Sequence, residues 1–134
     1  MDNAPEKVKK ILLIEDEAEL RMSLRAYLKA KGYVVEDTNS PLEALEKIRK
    51  EKYAVVISDN QMPGISGLSL IPAIKKSGAK LILMSGFFSP AQVLQANRDG
   101  ADKVLVKQSL SELDRVLFDL FYADDPMFKD DKAS

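Results

Sequence analysis

Short apolar runs recur along the chain, separated by longer stretches in which apolar and polar residues mix. Ile11–Ile14, Tyr33–Val35, Ala54–Ile57, Leu81–Met84 and Val104–Val106 are mostly rich in Val, Ile or Leu and show no polar alternation. Runs of this kind suit strands buried on both faces, as in parallel sheets. The second run is brief and Glu36 and Asp37 follow at once, which marks it as a candidate edge strand.

The stretches between the runs carry a period near ~3.6. Leu20, Leu24, Tyr27 and Leu28 form one stripe, Leu42, Leu45 and Ile48 a second, and Leu110, Leu113, Leu117 and Leu120 a third. Ser40-Pro41-Leu42-Glu43 supplies a cap, a proline at the first helical position and a capping-box Glu, and Ser89-Pro90-Ala91-Gln92 repeats the device. Asp16 with Glu19 resembles it, and Gly32, Gly78 and Gly100 fall where helices should stop. Leu68 to Lys76 is expected to be a third helix kinked or shortened by Pro72. A fourth, Pro90 to Arg98, has a thin stripe of Val93 and Leu94. The count is five βα units, (βα)5, with right-handed crossovers and helices on both faces of a doubly wound sheet. Residues 123–134 are polar, with Met127 and Phe128 as isolated apolar positions, and are expected to fray.

A chain of 134 residues is enough for one domain with a real core. Lys and Arg number 20 against 21 Asp and Glu, so bulk electrostatics recruits no nucleic acid. The longest apolar runs fall far short of the ~20 residues of a membrane span, and the polar residues 1–10 do not read as a signal peptide. The expectation is a soluble, cytoplasmic protein. There is no Cys and no His, which removes disulfides, thiolate chemistry, an imidazole base and most zinc sites. Carboxylates, Lys, hydroxyls and hard metal ions remain.

In open parallel sheets, ligands bind beyond the carboxyl ends of the strands. The first run leads into Glu15, Asp16 and Glu17, the third ends at Asp59, the fourth at Ser85 and the fifth at Lys107. With the sheet order 2-1-3-4-5, strands one and three are neighbours, and their carboxylates share one pocket. Crowded acids raise one another's pKa. A hard divalent cation, Mg2+ or Mn2+, relieves that repulsion with oxygen ligands alone. A carboxylate, a cation, a Lys and a hydroxyl together suit attack on phosphorus to give an aspartyl phosphate. Each residue has a plainer rival. Glu15 and Asp16 could serve the start of the first helix, Asp59 a turn, Ser85 an ordinary loop, and Lys107 the surface.

Taken together, Glu15-Asp16 after Ile11–Ile14, the stretch Asp59-Asn60-Gln61-Met62-Pro63-Gly64, then Ser85-Gly86 and Lys107 resemble the receiver domain of bacterial two-component response regulators, over about residues 8–122. The resemblance implies a flavodoxin-like three-layer sandwich with the receiver in 1–122 and a polar tail in 123–134. It implies that Asp59 is the phosphoacceptor, with Asp16 a direct metal ligand and Glu15 its partner. The backbone carbonyl of Gln61 is then the third protein ligand, the Ser85 hydroxyl bonds the phosphoryl group, and Lys107 pairs with it. The implied donor is a phospho-His on a sensor kinase or phosphotransfer protein, and phosphorylation and dephosphorylation are self-catalysed rather than enzymatic turnover. The implied output is a protein target, not nucleic acid or membrane, reached through the fourth helix, fifth strand and fifth helix (the α4-β5-α5 face), in a monomer or weak dimer.

Two positions depart from that family. Val104 stands where an aromatic usually swings inward on activation, so the switch is missing or relocated. Phe87 and Phe88 are candidates for the substitute, or they fill space beneath the fourth helix. Phe87 also falls beside the place where the family has the attacking water, and a bulky apolar group there would exclude it. Gln108 replaces the usual proline after Lys107, so a trans bond is expected. Two other function classes stay open. One is a pseudo-receiver that binds partners without phosphate. The other is a metal-dependent phosphatase or phosphotransferase, which usually needs a second acid where this chain has Gln61.

Overall fold

The structure is a computed structural model that describes residues 10–62, 65–66 and 70–122, with backbone alone at 61–62, 65–66 and 108–110. The tail 123–134, with Met127 and Phe128, lies outside the described residues, as do Pro63, Gly64 and Leu68. Five parallel strands, β1 (Lys10–Ile14), β2 (Val34–Thr38), β3 (Val55–Asp59), β4 (Lys80–Ser85) and β5 (Lys103–Val106), lie in the order β2-β1-β3-β4-β5. Five helices cover them: α1 (Ala18–Ala30), α2 (Pro41–Lys50), α3 (Ile71–Lys76), α4 (Pro90–Asp99) and α5 (Leu113–Tyr122). The doubly wound (βα)5 sandwich expected from the alternation is what the chain adopts.

Successive residues of each strand point to opposite faces, and both faces are apolar. Leu12, Ile14, Val56, Leu81 and Leu83 pack with Ala44, Ile48, Ile71, Ile74 and Ala96 of α2, α3 and α4. Ile11, Leu13, Val55, Ile57, Ile82, Met84 and Leu105 pack with Leu24 and Leu28 of α1 and Leu113, Leu117 and Phe121 of α5. Among the described residues, no helix is long and apolar enough to cross a membrane.

Both serines cap their helices, but Glu43 does not complete the expected capping box, because the Ser40 N–H donates to Thr38 Oγ1. Ser40 Oγ accepts from the Glu43 N–H, and Ser89 with Gln92 makes a reciprocal capping box. Gly100 ends α4 at φ 118°, where a Cβ would meet Lys75 Cγ at 3.0 Å, so glycine answers both a backbone and a packing demand.

Several expectations need correction. The second strand runs from Val34 through Thr38 and so includes Glu36 and Asp37. It lies at the sheet edge, where Glu36 takes Lys47 Nζ at 3.1 Å and the Tyr53 hydroxyl at 3.0 Å. The third helix is short, as expected, at Ile71–Lys76, but Pro72 lies in its first turn, where no N–H is needed, rather than in its interior. Asp16 does not cap α1: Glu17 holds the cap position without a side-chain cap bond. In the helical stripes, Leu42 and Leu94 are exposed, and Ala44 and Ala96 are buried in their neighbourhood. In α5 the buried stripe is Leu113, Leu117 and Phe121 with Leu120 half-buried, while residues 107–112 form a 3-10 turn. No cis peptide bond occurs among the described residues.

Candidate functional site

Parallel pairing brings the strand ends together. Ile14 pairs with Ser58 across β1 and β3, so the next residue on each strand, Glu15 and Asp59, is delivered to one place. Asp59 pairs with Met84 across β3 and β4, and Ser85 pairs with Val106 across β4 and β5, one residue before Lys107. The carboxylate oxygens of Glu15, Asp16 and Asp59 lie within 4.8 Å of one another. Glu15 is 0% and Asp59 4% exposed, while Asp16 faces solvent.

Lys107 crosses the pocket from the far side. Its Nζ stands 3.1 Å from Asp59 Oδ2 and 3.3 Å from Glu15 Oε1. Burial works against the charge on Lys107, but the Asp59 hydrogen bond and the two acidic charges outweigh it and hold its pKa above the usual lysine value. Burial, reinforced by the charge on Asp59, pushes the Glu15 carboxyl up to about 7, against the pull of the Glu17 N–H and Lys107.

Glu15 Oε2 accepts the Glu17 N–H at 2.9 Å, whereas buried Oε1 has no hydrogen-bond partner. A buried acceptor facing a second and third carboxylate, with no imidazole or thiol nearby, fits a hard divalent cation. Glu15, Asp16 and Asp59 would hold it from their side chains. Gln61 follows Asp59 by two residues and its backbone pairs with Ser66 in a short antiparallel ribbon.

Ser85 is buried at the end of β4, and its Oγ accepts the Phe87 N–H at 3.4 Å. Phe87 is 71% exposed, whereas Phe88 and Val104 are half-buried against the same core cluster. The two adjacent phenylalanines thus part company: Phe88 packs against the core, and the Phe87 side chain is exposed.

Two residues here have no role in the expected site. Asn60 is buried with its Oδ1 unpaired, and lines a cavity of about 310 Å³ with Phe88, Ala91, Gln92 and Gln95. Its place directly after Asp59 was the available signal, since a polar residue there continues a strand buried on both faces. Arg21 in α1 reaches back to the Glu15 backbone, and a lone arginine on a helix gives no such signal.

Comparison with known proteins agrees with this geometry. Residues 11–117 match the family model described as the response regulator receiver domain. The chemotaxis protein CheY of Thermotoga maritima is 36% identical over 103 residues, covering 74% of this chain and 85% of that protein. The transcriptional regulatory protein ResD of Bacillus subtilis is 30% identical over 99 residues, covering 73% of this chain and 41% of that protein. The chain therefore spans less than half the length of ResD. It spans 14% of the gliding motility regulatory protein of Myxococcus xanthus, to which it is 32% identical over 75% of its own length. Among solved structures, the response regulator TrrA of Thermotoga maritima in complex with Mg(2+)-BeF is 35% identical, with a TM-score of 0.74 over 84% of this chain and 98% of that one. A Burkholderia pseudomallei response regulator with a phosphorylated aspartic acid, calcium ion and citrate is 32% identical, with a TM-score of 0.71 over 78% of this chain and 65% of that one.

Proposed function

This chain belongs to the response regulator receiver-domain family, and from that premise we propose that it takes a phosphoryl group onto Asp59 from a phospho-His of a sensor kinase or phosphotransfer protein. One Asp59 carboxylate oxygen attacks phosphorus, the P–N bond breaks, and the imidazole leaves with its electron pair. Glu15, Asp16, Asp59 and the Gln61 carbonyl would hold Mg2+, or Mn2+ in its place, which when bound would neutralise charge on the phosphoryl oxygens. Lys107 already reaches Asp59 at 3.1 Å and is placed to pair with the product's added charge. The buried Ser85 hydroxyl is left to donate to a phosphoryl oxygen.

The observation that carries this reading is the gathering of three carboxylates from two strand ends within 4.8 Å, with Lys107 against two of them. The pseudo-receiver alternative draws its support from Val104 and Gln108, where the family's aromatic and proline are missing. The two separate on one assay. Incubation with acetyl phosphate and Mg2+ is expected to add one phosphoryl mass, mapped to the Asp59 peptide. No mass gain on Asp59 favours the phosphate-independent module. Turnover of a generic phosphate ester would favour the phosphatase class, which Gln61 in place of a second acid makes the weakest of the three.

Residues 1–122 form the receiver module and 123–134 a polar tail, in a cytoplasmic protein that is a monomer or weak dimer. Its chemistry is limited to gaining and losing its own phosphoryl group. The output passes to a protein target through α4, β5 and α5, a face on which Leu94 and Phe118 are exposed. Phe87, two residues beyond Ser85 and bonded to its Oγ through the backbone N–H, screens the acyl phosphate from water. Phe87→Ala is therefore expected to speed loss of phosphate severalfold in a decay time course, and an unchanged rate removes that role.

A further inference from the structure

The Glu15 residue is fully buried, and its polar groups are almost all committed. Its N–H donates to the Thr38 carbonyl at 3.1 Å, and its Oε2 accepts from the Glu17 N–H at 2.9 Å. Its backbone carbonyl accepts from Arg21 Nη1 at 2.9 Å. Oε1 alone takes no hydrogen bond and turns toward Lys107 and the other acids.

Arg21 is itself fixed. Its Nε donates to Asp37 Oδ2 at 3.1 Å, while Arg25 Nη1 holds the other oxygen, Oδ1, at 3.0 Å. Asp37 projects from the edge strand β2, paired in register with Leu13 of β1, so the contact ties α1 and β2 to the loop after β1. The Arg21 side chain is only 17% exposed, and its planar fork can meet the carboxylate and the carbonyl at once.

We propose that Arg21 is a positioning residue for the cation pocket: anchored on Asp37, it holds the Glu15 carbonyl and so fixes the loop that presents Glu15 and Asp16. The proposal rests on reading that pocket as a cation site. Arg21 touches neither the reacting atoms nor the cation's ligand oxygens. It acts as an outer-shell partner, a kind of contact whose loss commonly costs 10–100-fold in metal affinity.

Electrostatics gives this a sign that a bystander would not share. Arg21 is a cation near a cation site, so deleting its charge should by itself tighten divalent binding. Loss of positioning should weaken it.

The test is a titration of the unphosphorylated full chain with Mn2+, read by water-proton relaxation, so that no phosphoryl chemistry enters. Arg21→Ala is expected to weaken Mn2+ by about 10–100-fold. Arg21→Lys, which can reach the carbonyl but cannot also fork onto Asp37, should fall between. Arg25→Ala, which removes the same charge one turn along without touching Glu15, should bind as wild type or somewhat tighter. Lower stability alone would reduce the melting temperature of Arg21→Ala with and without metal alike and leave the affinity of the folded chain unmoved. Wild-type-like or tighter binding by Arg21→Ala overturns the proposal while leaving the pocket in place. A wild-type chain that takes up no Mn2+ overturns the pocket reading and this inference with it. Should Arg21→Ala fail to fold, Arg21→Lys carries the test, and wild-type affinity in that variant overturns the proposal.

Discussion

Asp59→Asn is expected to cut phosphoryl incorporation from acetyl phosphate by more than about 100-fold, to background, with the fold intact. An amide oxygen is a poor nucleophile, and neither acid left beside it replaces Asp59, although Glu15 Oε1 lies 3.3 Å from Lys107. Asp16 faces solvent, and Glu15 already spends Oε2 on the Glu17 N–H. The substitution is nearly isosteric at a position only 4% exposed, so the circular dichroism spectrum should match the wild type. Intact-mass spectra before and after incubation with acetyl phosphate and Mg2+ provide the measurement. Incorporation near the wild-type level would move the acceptor to another side chain and remove Asp59 from the centre of the mechanism. The same variant should also bind Mn2+ more weakly, because it withdraws one of three converging carboxylates.

The strand ends were legible because a parallel sheet leaves so few arrangements. If the buried strands Ile11–Ile14 and Val55–Ile57 are neighbours, as in the order 2-1-3-4-5, Glu15 and Asp59 at their carboxyl ends must meet, and the structure has that pairing. Ser40 and Ser89 were legible for a local reason: a hydroxyl before Pro, with Glu or Gln three residues on, satisfies free N–H groups without help from the rest of the fold. The errors fall where tertiary contacts decide. Glu36 and Asp37 lie beyond the apolar run Tyr33–Val35 that marks an edge strand, yet both sit in β2, where Lys47, Tyr53, Arg21 and Arg25, all distant in sequence, pair with them. Ala96 counts for little in a periodicity count, but close packing of α4 on the sheet needs its small side chain, and Leu94 faces out instead. Pro72 shows the same limit: inside a helix from Leu68 to Lys76 it is a disruption, but in the first turn of the shorter Ile71–Lys76 a proline costs nothing. Arg21 was invisible for a further reason. Its partner is a backbone carbonyl, and no side-chain pattern records which carbonyls lie within reach of an arginine.

Lys107→Met is expected to destabilise the metal-free protein by about 2–3 kcal/mol at pH 8. That is below the ~3–5 kcal/mol typical of breaking a fully buried pair, because the Lys107 side chain keeps 23% of its surface in water. Met preserves most of the stem's packing and deletes the charge, which leaves Glu15 and Asp59 to face each other with no cation between them. The pH dependence follows from Glu15, whose carboxyl burial pushes up to about 7. A raised acid pKa means the folded chain holds its proton more tightly than the unfolded one. Its contribution to stability is therefore complete below about 4.5, the ordinary Glu value, and is lost as pH rises through about 7. Removing Lys107 withdraws a group that favours ionised Glu15, so the variant should lose stability more steeply over that range. Near pH 4.5, where Glu15 is protonated in both proteins, the part of the gap that comes from Glu15 should close, leaving the part that comes from the lost Lys107–Asp59 contact. Saturating Mg2+ favours the ionised acids and should restore much of the variant's lost stability at pH 8, even though phosphoryl transfer stays slow without the lysine. Urea unfolding at several pH values, with Mg2+ or with EDTA, measures all of this on one pair of proteins. A variant as stable as wild type in EDTA at pH 8 would mean that the acids relieve their repulsion through water rather than through Lys107, and that the ammonium group serves the phosphorylated state alone.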